Sequence, residues 1–561
     1  MSAPKTPMVG WFDPQQLART GVDVAISTIF GQASDFRVIE AFTAPQEPID
    51  AHGEDGKPVW IDYTADAGDG WSSTYSVAYW LTRPTLTVAT EDKSVTETTQ
   101  SGSILVFGGD QVYPTPSRAA YKERLIQPYE STRASHPREA YAIPGNHDWY
   151  DNLVSFTRLF CSRERFAGWT LRQTRSYFAV RLLYGWWLIG TDMQLGSDID
   201  EAQVKFFREA AAKMGPGDRV ILCTAEPHWI YAEAYRETDP QYYSEKNLSF
   251  LESDIFADRI QIFLAGDLHH YRRHEADDGR QKITSGGGGA FLHPTHEKSF
   301  AVLEQDLLRD GATQHTTYRK KACYPDEKTS FGLCFRNLLF PFLNPKFGVV
   351  PALMYLLFAW SAYHKLERPG LHEAISSTVN HLLHSPFSTM LSLAIILAFI
   401  FFTDTHFRWY KWIGGGLHAL LHLLTALLIG WGASLLVARW LPYDSTPFML
   451  VTGLFVFAGG WIAGSFIFGI YLLISMNLFR RHSEEAFSGL RIEDYKNFLR
   501  MRLDPDGSVT IFPIGIEKVA KRWKPGSDNG PAYEPDGPFT EPFLIEKPIH
   551  VGRVNAARGA L

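Results

Sequence analysis

Partway along this chain the material changes, and that change limits what it can fold into more than any motif does. Between residues 347 and 479 only Lys365, Glu367, Arg368, Glu373, Asp404, Arg408, Lys411, Arg439 and Asp444 are charged, nine of 133 residues. The other 428 residues carry 106 charges. The first stretch suits hydrocarbon and the remainder suits water, so the mean hydropathy of −0.14 describes neither. A single soluble domain is excluded, and so is a protein that is mostly membrane. The length leaves room for about three units of ordinary domain size.

Four apolar stretches, about 347–364, 386–403, 413–438 and 448–479, approach or exceed the roughly 20 residues that cross hydrocarbon. They predict a four-helix transmembrane region over 347–479, its first two spans upright and its last long enough to tilt. Arg319, Lys320, Lys321, Lys328, Arg336 and Lys346 precede the first span, within a basic juxtamembrane linker at 311–346. Arg408 and Lys411 follow the second span, and Arg480 and Arg481 the fourth; the opposite side has Lys365, Arg368 and Arg439. The positive-inside rule then predicts an integral cell (inner) membrane protein with its large domain and both termini cytoplasmic. Residues 1–20 lack the apolar core of a signal peptide, and the four cysteines form no CxxC pair, which fits a reducing compartment. A net charge of −7 argues against a nucleic-acid partner. No charge sits mid-span, so an ion path is not declared. His418 and His422 share a helix face, where they would either hold a metal or haem with help from His364, His381 or His384, or hydrogen-bond within the bundle.

Residues 1–57 predict a helical segment, with one amphipathic helix from about 13 to 39 serving packing or dimerisation. Over 58–310 short β-rich runs end in polar residues. VWIDYTAD closes at Asp66, SILVFGGD at Asp110, AYAIPGNHD at Asp148, RVILCTAEPHW near His228, and IQIFLAGDLHH at His269 and His270. Helical stretches such as 201–213 fall between them, which is α/β patterning. Five strand ends bearing Asp, Asn and His read as convergence on a metal centre, since carboxylate, amide and imidazole suit hard-to-borderline divalent ions. Two ions sharing one carboxylate would clamp a phosphate. Gly286–Gly289 precedes Phe291-Leu-His-Pro-Thr-His296. Backbone N–H groups around Gly287 and Gly288, with His293 and His296, would form a phosphate or substrate rim; the alternative is a turn with surface histidines.

Asp66, the Gly-Gly-Asp ending at Asp110, the Gly-Asn-His-Asp of 145–148 and the Gly-Asp-Leu-His of 266–269 resemble, in order and spacing, the calcineurin-like metallophosphoesterases. The wider pattern (DAGDG, GGDQVYP, PGNHDWYD, GDLHHY, GGGGAFLHPTH) looks like a membrane-attached branch of that superfamily. The resemblance covers roughly 58–307 and implies a four-layer α/β/β/α sandwich with two divalent ions. It implies that Asp66 binds the first metal, Asp110 bridges both and Asn146 holds the second. His147, oriented by Asp148, would stabilise the phosphate and help protonate the leaving group, and His269 matches the second His of the family's Gly-His-x-His. Three imidazoles of the family pattern are absent: Gly68, Ala225 and Asp267 stand in their places. Asp69, Glu226 and His228 lie near enough in sequence to compensate. The centre is then either oxygen-rich, favouring Mn, Fe or Mg over Zn, or degraded to one metal or none.

Residues 480–561 predict a C-terminal cytoplasmic tail: an amphipathic stretch at 491–503, a DPDG turn, a strand-like SVTIFPIGI, and an extended, six-proline segment from 524. The functional expectation is a membrane-anchored metal-dependent phosphohydrolase. It would cleave a phosphomonoester, phosphodiester or pyrophosphate, small or lipid-linked, through a metal-bridging hydroxide. The alternatives are a catalytically impaired sensor or scaffold that binds a nucleotide or phosphate ligand at the membrane, and a transporter or channel gated by the domain.

Overall fold

β-Branched and aromatic runs build two large sheets in a computed structural model that describes residues 6–31, 47–134, 138–193, 199–236, 243–297, 300–309, 312–362, 370–403, 408–443 and 445–552. The chain divides into two compact units. One comprises residues up to Val9, Arg19–Thr329 and everything from Arg491; the other comprises Gly10–Ala18 and Ser330–Leu490.

In the first unit, one sheet runs in the order Ile49–Asp50, Phe178–Arg181, Trp186–Gly190, Arg219–Cys223, Ile260–Ala265, Gln281–Ser285, Tyr271–Ala276, Ala312–Tyr324, Val302–Arg309. The other runs Phe543–Leu544, Val509–Ile516, Lys496–Leu503, Val59–Thr64, Ile104–Phe107, Arg138–Ala142, Trp169–Leu171, Arg165–Phe166, with Ile549–Val551 also paired to Val509–Ile516. Period-two alternation separates the faces. Ile104 and Val106 join Ile61, Tyr63, Ile221 and Ile262 in a core shared by both sheets. Leu105 and Phe107 point the other way, into a core with Val77, Leu81, Leu125 and Phe156 from helical segments. Trp187, Leu222 and Phe263 do the same on the other sheet, against Phe206, Phe207, Ile230 and Leu251. Helical segments thus pack on the outer face of each sheet, with apolar cores beneath them and another between the two sheets. Val59–Thr64, Ile104–Phe107 and Arg138–Ala142 are mutually parallel, as are Trp186–Gly190, Arg219–Cys223 and Ile260–Ala265, so their carboxyl ends emerge together in each sheet.

Two expected boundaries are corrected. The presumed tail is not a separate subdomain: Lys496–Leu503 pairs antiparallel with Val59–Thr64 and Val509–Ile516 pairs beyond it, so both complete the sheet that carries Asp66. The amphipathic reading of 491–503 failed because this strand is buried on both faces around a buried Arg500. The presumed linker holds the 13-residue strand Ala312–Tyr324, paired to Tyr271–Ala276 and Val302–Arg309. Its basic residues Arg319, Lys320 and Lys321 are consecutive, so charge falls on both faces of the strand and hides β periodicity. The N-terminal helix spans Pro14–Gly31; the rest of its expected range, 32–39, lies outside the described residues.

In the second unit, Arg408–Val437 (30 residues) and Thr446–Phe479 (34 residues) are long and apolar enough to cross a membrane. The other two expected spans are not straight crossings. Pro345–Ser361 bends 63° from Glu327–Leu343, and Pro386–Phe402 bends 99° from Leu371–His384; with each bent pair counted as one, the total reaches four. The second bend has a local cause. Ser385 precedes a proline and is extended (φ −105°, ψ 106°), as the proline ring demands of its neighbour. Two helices are thus long enough by themselves, and the expected four spans are reached only if each bent pair is one span. Gly460 and Gly464 permit close helix packing, since a Cβ would lie 3.0 Å from Tyr355 Cβ and 2.4 Å from Pro351 Cβ respectively.

Candidate metal centre

Three strands deliver an aspartate at the same backbone conformation. Asp66, Asp110 and Asp267 all have left-handed φ, at 58°, 48° and 66°. Aspartate tolerates that region better than most side chains, but it remains a strained choice that surrounding structure must enforce. Gly109, at φ 118°, and Gly145 allow the turns to close: a Cβ on Gly145 would fall within 2.1 Å of Asp110 Oδ1. The result is a small pocket lined by Asp66, Gly109, Asp110, Gly145, Asn146, Ala225, Glu226 and Asp267. Of the expected ligands, Asp66, Asp110, Asn146 and Asp267 meet there, and so does Glu226, beside the Ala225 that replaces an imidazole.

A second cluster centres on a residue the sequence reading missed. The Tyr113 hydroxyl lies 3.1 Å from Asp66 Oδ1, 3.0 Å from Asp110 Oδ2 and 2.9 Å from His269 Nε2. In GGDQVYP, Tyr113 follows Asp110 by three residues and rejoins it across the turn. His269 is aimed by its Nδ1, which is 2.7 Å from Phe291 O, and His293 stacks on it with ring centres 3.9 Å apart. The backbone N–H of Asp267 donates to both oxygens of Asp66, at 3.1 and 2.9 Å. The Tyr231 hydroxyl donates to Asp267.

Electrostatics at the pocket are those of crowded anions. Burial raises Asp66 well above the usual carboxylate range, with repulsion from Asp110 and Asp267 adding to it. Burial and then Asp267 push Asp110 up to about 7, and burial followed by Asp267 and Asp110 raises Glu226. Burial alone lowers His228 to about 4. His228 is fully buried with both ring nitrogens unpartnered, 3.9 Å from Glu226 Oε2 at its Nδ1.

Several expected roles move. Asp148 does not orient His147. Its carboxylate is saturated by the N–H groups of Gln111 and Gly145 and by the Tyr121 hydroxyl, so it fixes the loop instead. His147 Nδ1 is 2.6 Å from Pro114 O, and its backbone N–H donates to Asp110 Oδ1 at 2.9 Å. Burial lowers its imidazole to about 4, which leaves it neutral rather than a ready acid at neutral pH. Asp69 is no compensating ligand: its two oxygens accept from Val9 N and Phe291 N, tying an N-terminal strap to the glycine loop. That loop is not a phosphate cradle either. Gly288 N donates to Ala65 O and Gly286 N to His270 O, and a Cβ on Gly286 would lie 2.4 Å from Asp66 Oδ2. Its glycines permit backbone to press against the strand end that carries Asp66, and Asn497 and Lys496 of the C-terminal strand brace it through Gly287 O and Ala290 O. Gly286→Ala is therefore expected to displace Asp66 and cost about 1–3 kcal/mol. An unchanged melting temperature with unchanged metal affinity would show that the close approach is not needed. His296 is buried in the same loop but does not line the pocket.

In the helical unit, His418 and His422 face each other. Their Nε2 atoms are 3.2 Å apart, and His422 Nδ1 is 3.0 Å from the Tyr355 hydroxyl. His381 and His384 face the carbonyls of Ser361 and Asn380, and His364 lies outside the described residues. Hydrogen bonds within the bundle thus serve both nitrogens of His422, while His418 Nδ1 is buried without a hydrogen-bond partner.

Among the described residues, no three His, Cys, Asp or Glu side chains close around a single point. The donor chemistry nevertheless suits a cation. Four carboxylates with raised affinity for protons ring the pocket, and one Tyr113 hydroxyl, with a single proton, faces three acceptors.

No protein-family model matches the chain, and no curated protein matches its sequence. Solved structures similar to it include GAP50, the anchor in the inner membrane complex of Plasmodium, at 12% identity and a TM-score of 0.31, covering 49% of this chain and 93% of that one. Another is the purple acid phosphatase PPD1 from yellow lupin (Lupinus luteus) seeds, at 13% identity and a TM-score of 0.27, covering 48% of this chain and 55% of that one. Likeness at that level assigns nothing by itself; what defines the first unit is a mixed α/β body of large sheets with an acidic pocket at its strand ends.

Proposed function

We propose that the first unit is a metal-dependent phosphohydrolase tethered to a membrane by the second. What carries this reading is the meeting of Asp66, Asp110, Asn146, Glu226 and Asp267 at the carboxyl ends of parallel strands. Asp66, Asp110, Tyr113 and His269 would hold one divalent ion, and Asp110, Asn146, Glu226 and Asp267 the other. The second set is all oxygen, with carboxylates where the family pattern has imidazoles, which favours Mn, Fe or Mg over Zn. Bound ions would supply a hydroxide at neutral pH and offset the charge of a phosphate. With Nδ1 on the Pro114 carbonyl, His147 would offer Nε2, in a neutral ring, as a proton acceptor to substrate oxygens. Substrate would be a phosphomonoester, phosphodiester or pyrophosphate, small or lipid-linked, handled on the cytoplasmic side.

Purified full-length protein with Mn²⁺ and bis(4-nitrophenyl) phosphate tests the reading; no bound metal and no turnover with any divalent ion would overturn it. Tyr113→Phe is expected to weaken metal binding about 10–100-fold, measured by calorimetric titration, because it removes the group shared by three ligands. A second reading, a sensor or scaffold that binds a nucleotide or phosphate ligand without turnover, is favoured by one observation: none of the hydrogen bonds of Asp148 reaches His147. Stoichiometric phosphate or nucleotide binding without hydrolysis would select it.

A further inference from the structure

One helical segment of the second unit is inside out. Glu327–Leu343 turns Phe331, Phe335, Leu338, Leu339 and Phe342 outward, at 39, 47, 43, 51 and 71% exposure. They recur every three or four positions and so form one stripe, on which the rings of Phe331 and Phe335 lie 5.6 Å apart. Polar residues turn inward instead. Ser330, Cys334 and Asn337 are buried, and Asn337 Nδ2 donates to Cys334 O at 3.0 Å and to Ala486 O at 3.2 Å. A helix that faces water carries the opposite pattern.

Ring contacts place this segment at one edge of the helical bundle. Phe468 of the long helix Thr446–Phe479 meets Phe340 at 5.2 Å, Phe347 at 4.7 Å and Phe402 at 5.2 Å. Pro345–Ser361 begins at that level and Pro386–Phe402 ends there. Fifteen residues before Phe468, Gly453 faces Trp360, with a Cβ 3.6 Å from its Nε1. That interval is about 22 Å of helix, so Pro345–Ser361 covers most of the roughly 30 Å of hydrocarbon by itself. Glu327–Leu343, bent 63° from it, lies nearer the membrane plane than its normal. The stripe also runs on into the surface of the long helix: Phe342 meets Phe466 at 6.1 Å, and Ile462 and Ile470, one turn to either side, are exposed. This edge is basic. Lys328 and Arg336 are exposed on the segment, and Arg480 caps the same end of the long helix.

We propose that Glu327–Leu343 lies in the membrane surface on the basic side and takes anionic lipid, its phenyl rings among acyl chains and Lys328 and Arg336 at headgroup phosphates. Two other arrangements fit worse. As half of a broken span, the segment would carry two cations into hydrocarbon. Covered by protein, the stripe would need a partner that also reaches the apolar surface of the long helix. The inference rests on the second unit lying in a membrane and is independent of phosphohydrolase activity.

The test uses full-length protein in nanodiscs of phosphatidylcholine with a minority of phosphatidylglycerol. With p-benzoylphenylalanine in place of Phe335 or Phe342, photolysis is expected to give lipid adducts, counted by mass spectrometry. Phosphatidylglycerol should be enriched in them about fivefold over its bulk share, the worth of one basic residue at an anionic surface. Lys328→Gln with Arg336→Gln should return that ratio to the bulk share and leave the total of lipid adducts unchanged. Adducts to protein instead of lipid would overturn the proposal, as would a ratio at the bulk share in the unaltered protein or one indifferent to the double variant. A membrane-impermeant maleimide, mapped by peptide, separates surface from span. Arg336→Cys should react and Leu357→Cys, in the crossing helix, should not. Equal protection of both would make the segment part of a crossing and overturn the proposal; equal reaction would remove the membrane reading together with it.

Discussion

Asp110→Asn is expected to lower divalent-dependent hydrolysis of bis(4-nitrophenyl) phosphate by about 10³-fold or more, while raising the melting temperature of the metal-free protein at neutral pH. The two effects have one cause. Asp110 is the carboxylate common to both proposed donor sets, with Oδ2 turned to Tyr113 and Oδ1 to the His147 N–H. Its loss removes charge that both ions would share, and contributions of that kind amount to several kcal/mol of transition-state stabilisation. In the metal-free protein the same charge is a liability. Burial and Asp267 raise Asp110 to about 7, so it holds a proton in the folded chain at a pH where the unfolded chain has released it. A raised carboxylate stabilises the folded state fully below the unfolded value, near 4, and that contribution is lost as pH rises through the folded value, near 7. Asparagine does not titrate and escapes this loss. Addition of Mn²⁺ should then raise the melting temperature of the native protein and leave that of Asp110→Asn nearly unmoved. Equal metal-induced shifts in both, or retained turnover in the variant, would remove Asp110 from the centre.

How far the sequence could be read depended on whether information was local. Asp66, Asp110, Asn146 and Asp267 were legible because each follows a β-run and sits in a Gly-rich turn, a signature contained in a few residues. Glu226 was legible only as a neighbour of Ala225, and the pocket selects it over Asp69. Tyr113 was hidden because a tyrosine three residues after an aspartate carries no signal until the turn brings its hydroxyl back. The pairing of His147 with Asp148 failed for a related reason: adjacent residues need not face each other, and Asp148 turns to Gln111, Gly145 and Tyr121. The apolar quarter was legible in hydropathy, but its bends were not, since charge counting passes over Ser385-Pro386 without registering a break. Least legible was the return of the chain. Nothing local in 496–516 says that Lys496–Leu503 pairs with Val59–Thr64, more than 400 residues earlier, across an entire helical insertion.

That return gives the largest expected stability effect. Arg500 is fully buried in the C-terminal strand, directly opposite Asp62 in the register with Val59–Thr64. Its Nε is 3.2 Å from Asp62 Oδ1, Nη1 is 3.2 Å from Thr99 Oγ1, and Nη2 donates to Leu81 O at 2.7 Å and Arg83 O at 3.1 Å. Asp62 Oδ2 also accepts from Gly102 N at 2.8 Å. Burial alone would disfavour both ions, so the pair is a weak source of net stability; its removal by halves is what costs. Arg500→Ala leaves Asp62 buried without its cation and two carbonyls without a donor, which is expected to destabilise the first unit by about 3–5 kcal/mol. The double variant Asp62→Leu with Arg500→Met removes both charges, so it should recover the part of that loss that comes from the unpaired carboxylate and leave the part that comes from the two carbonyls. Denaturant unfolding of the three proteins decides the matter. If the C-terminal strands were a detachable tail, Arg500→Ala would change neither the unfolding midpoint nor metal binding at Asp66. If they complete the sheet, unfolding and loss of the centre occur together, because Lys496 and Asn497 on the same strand brace the glycine loop that lies against Asp66.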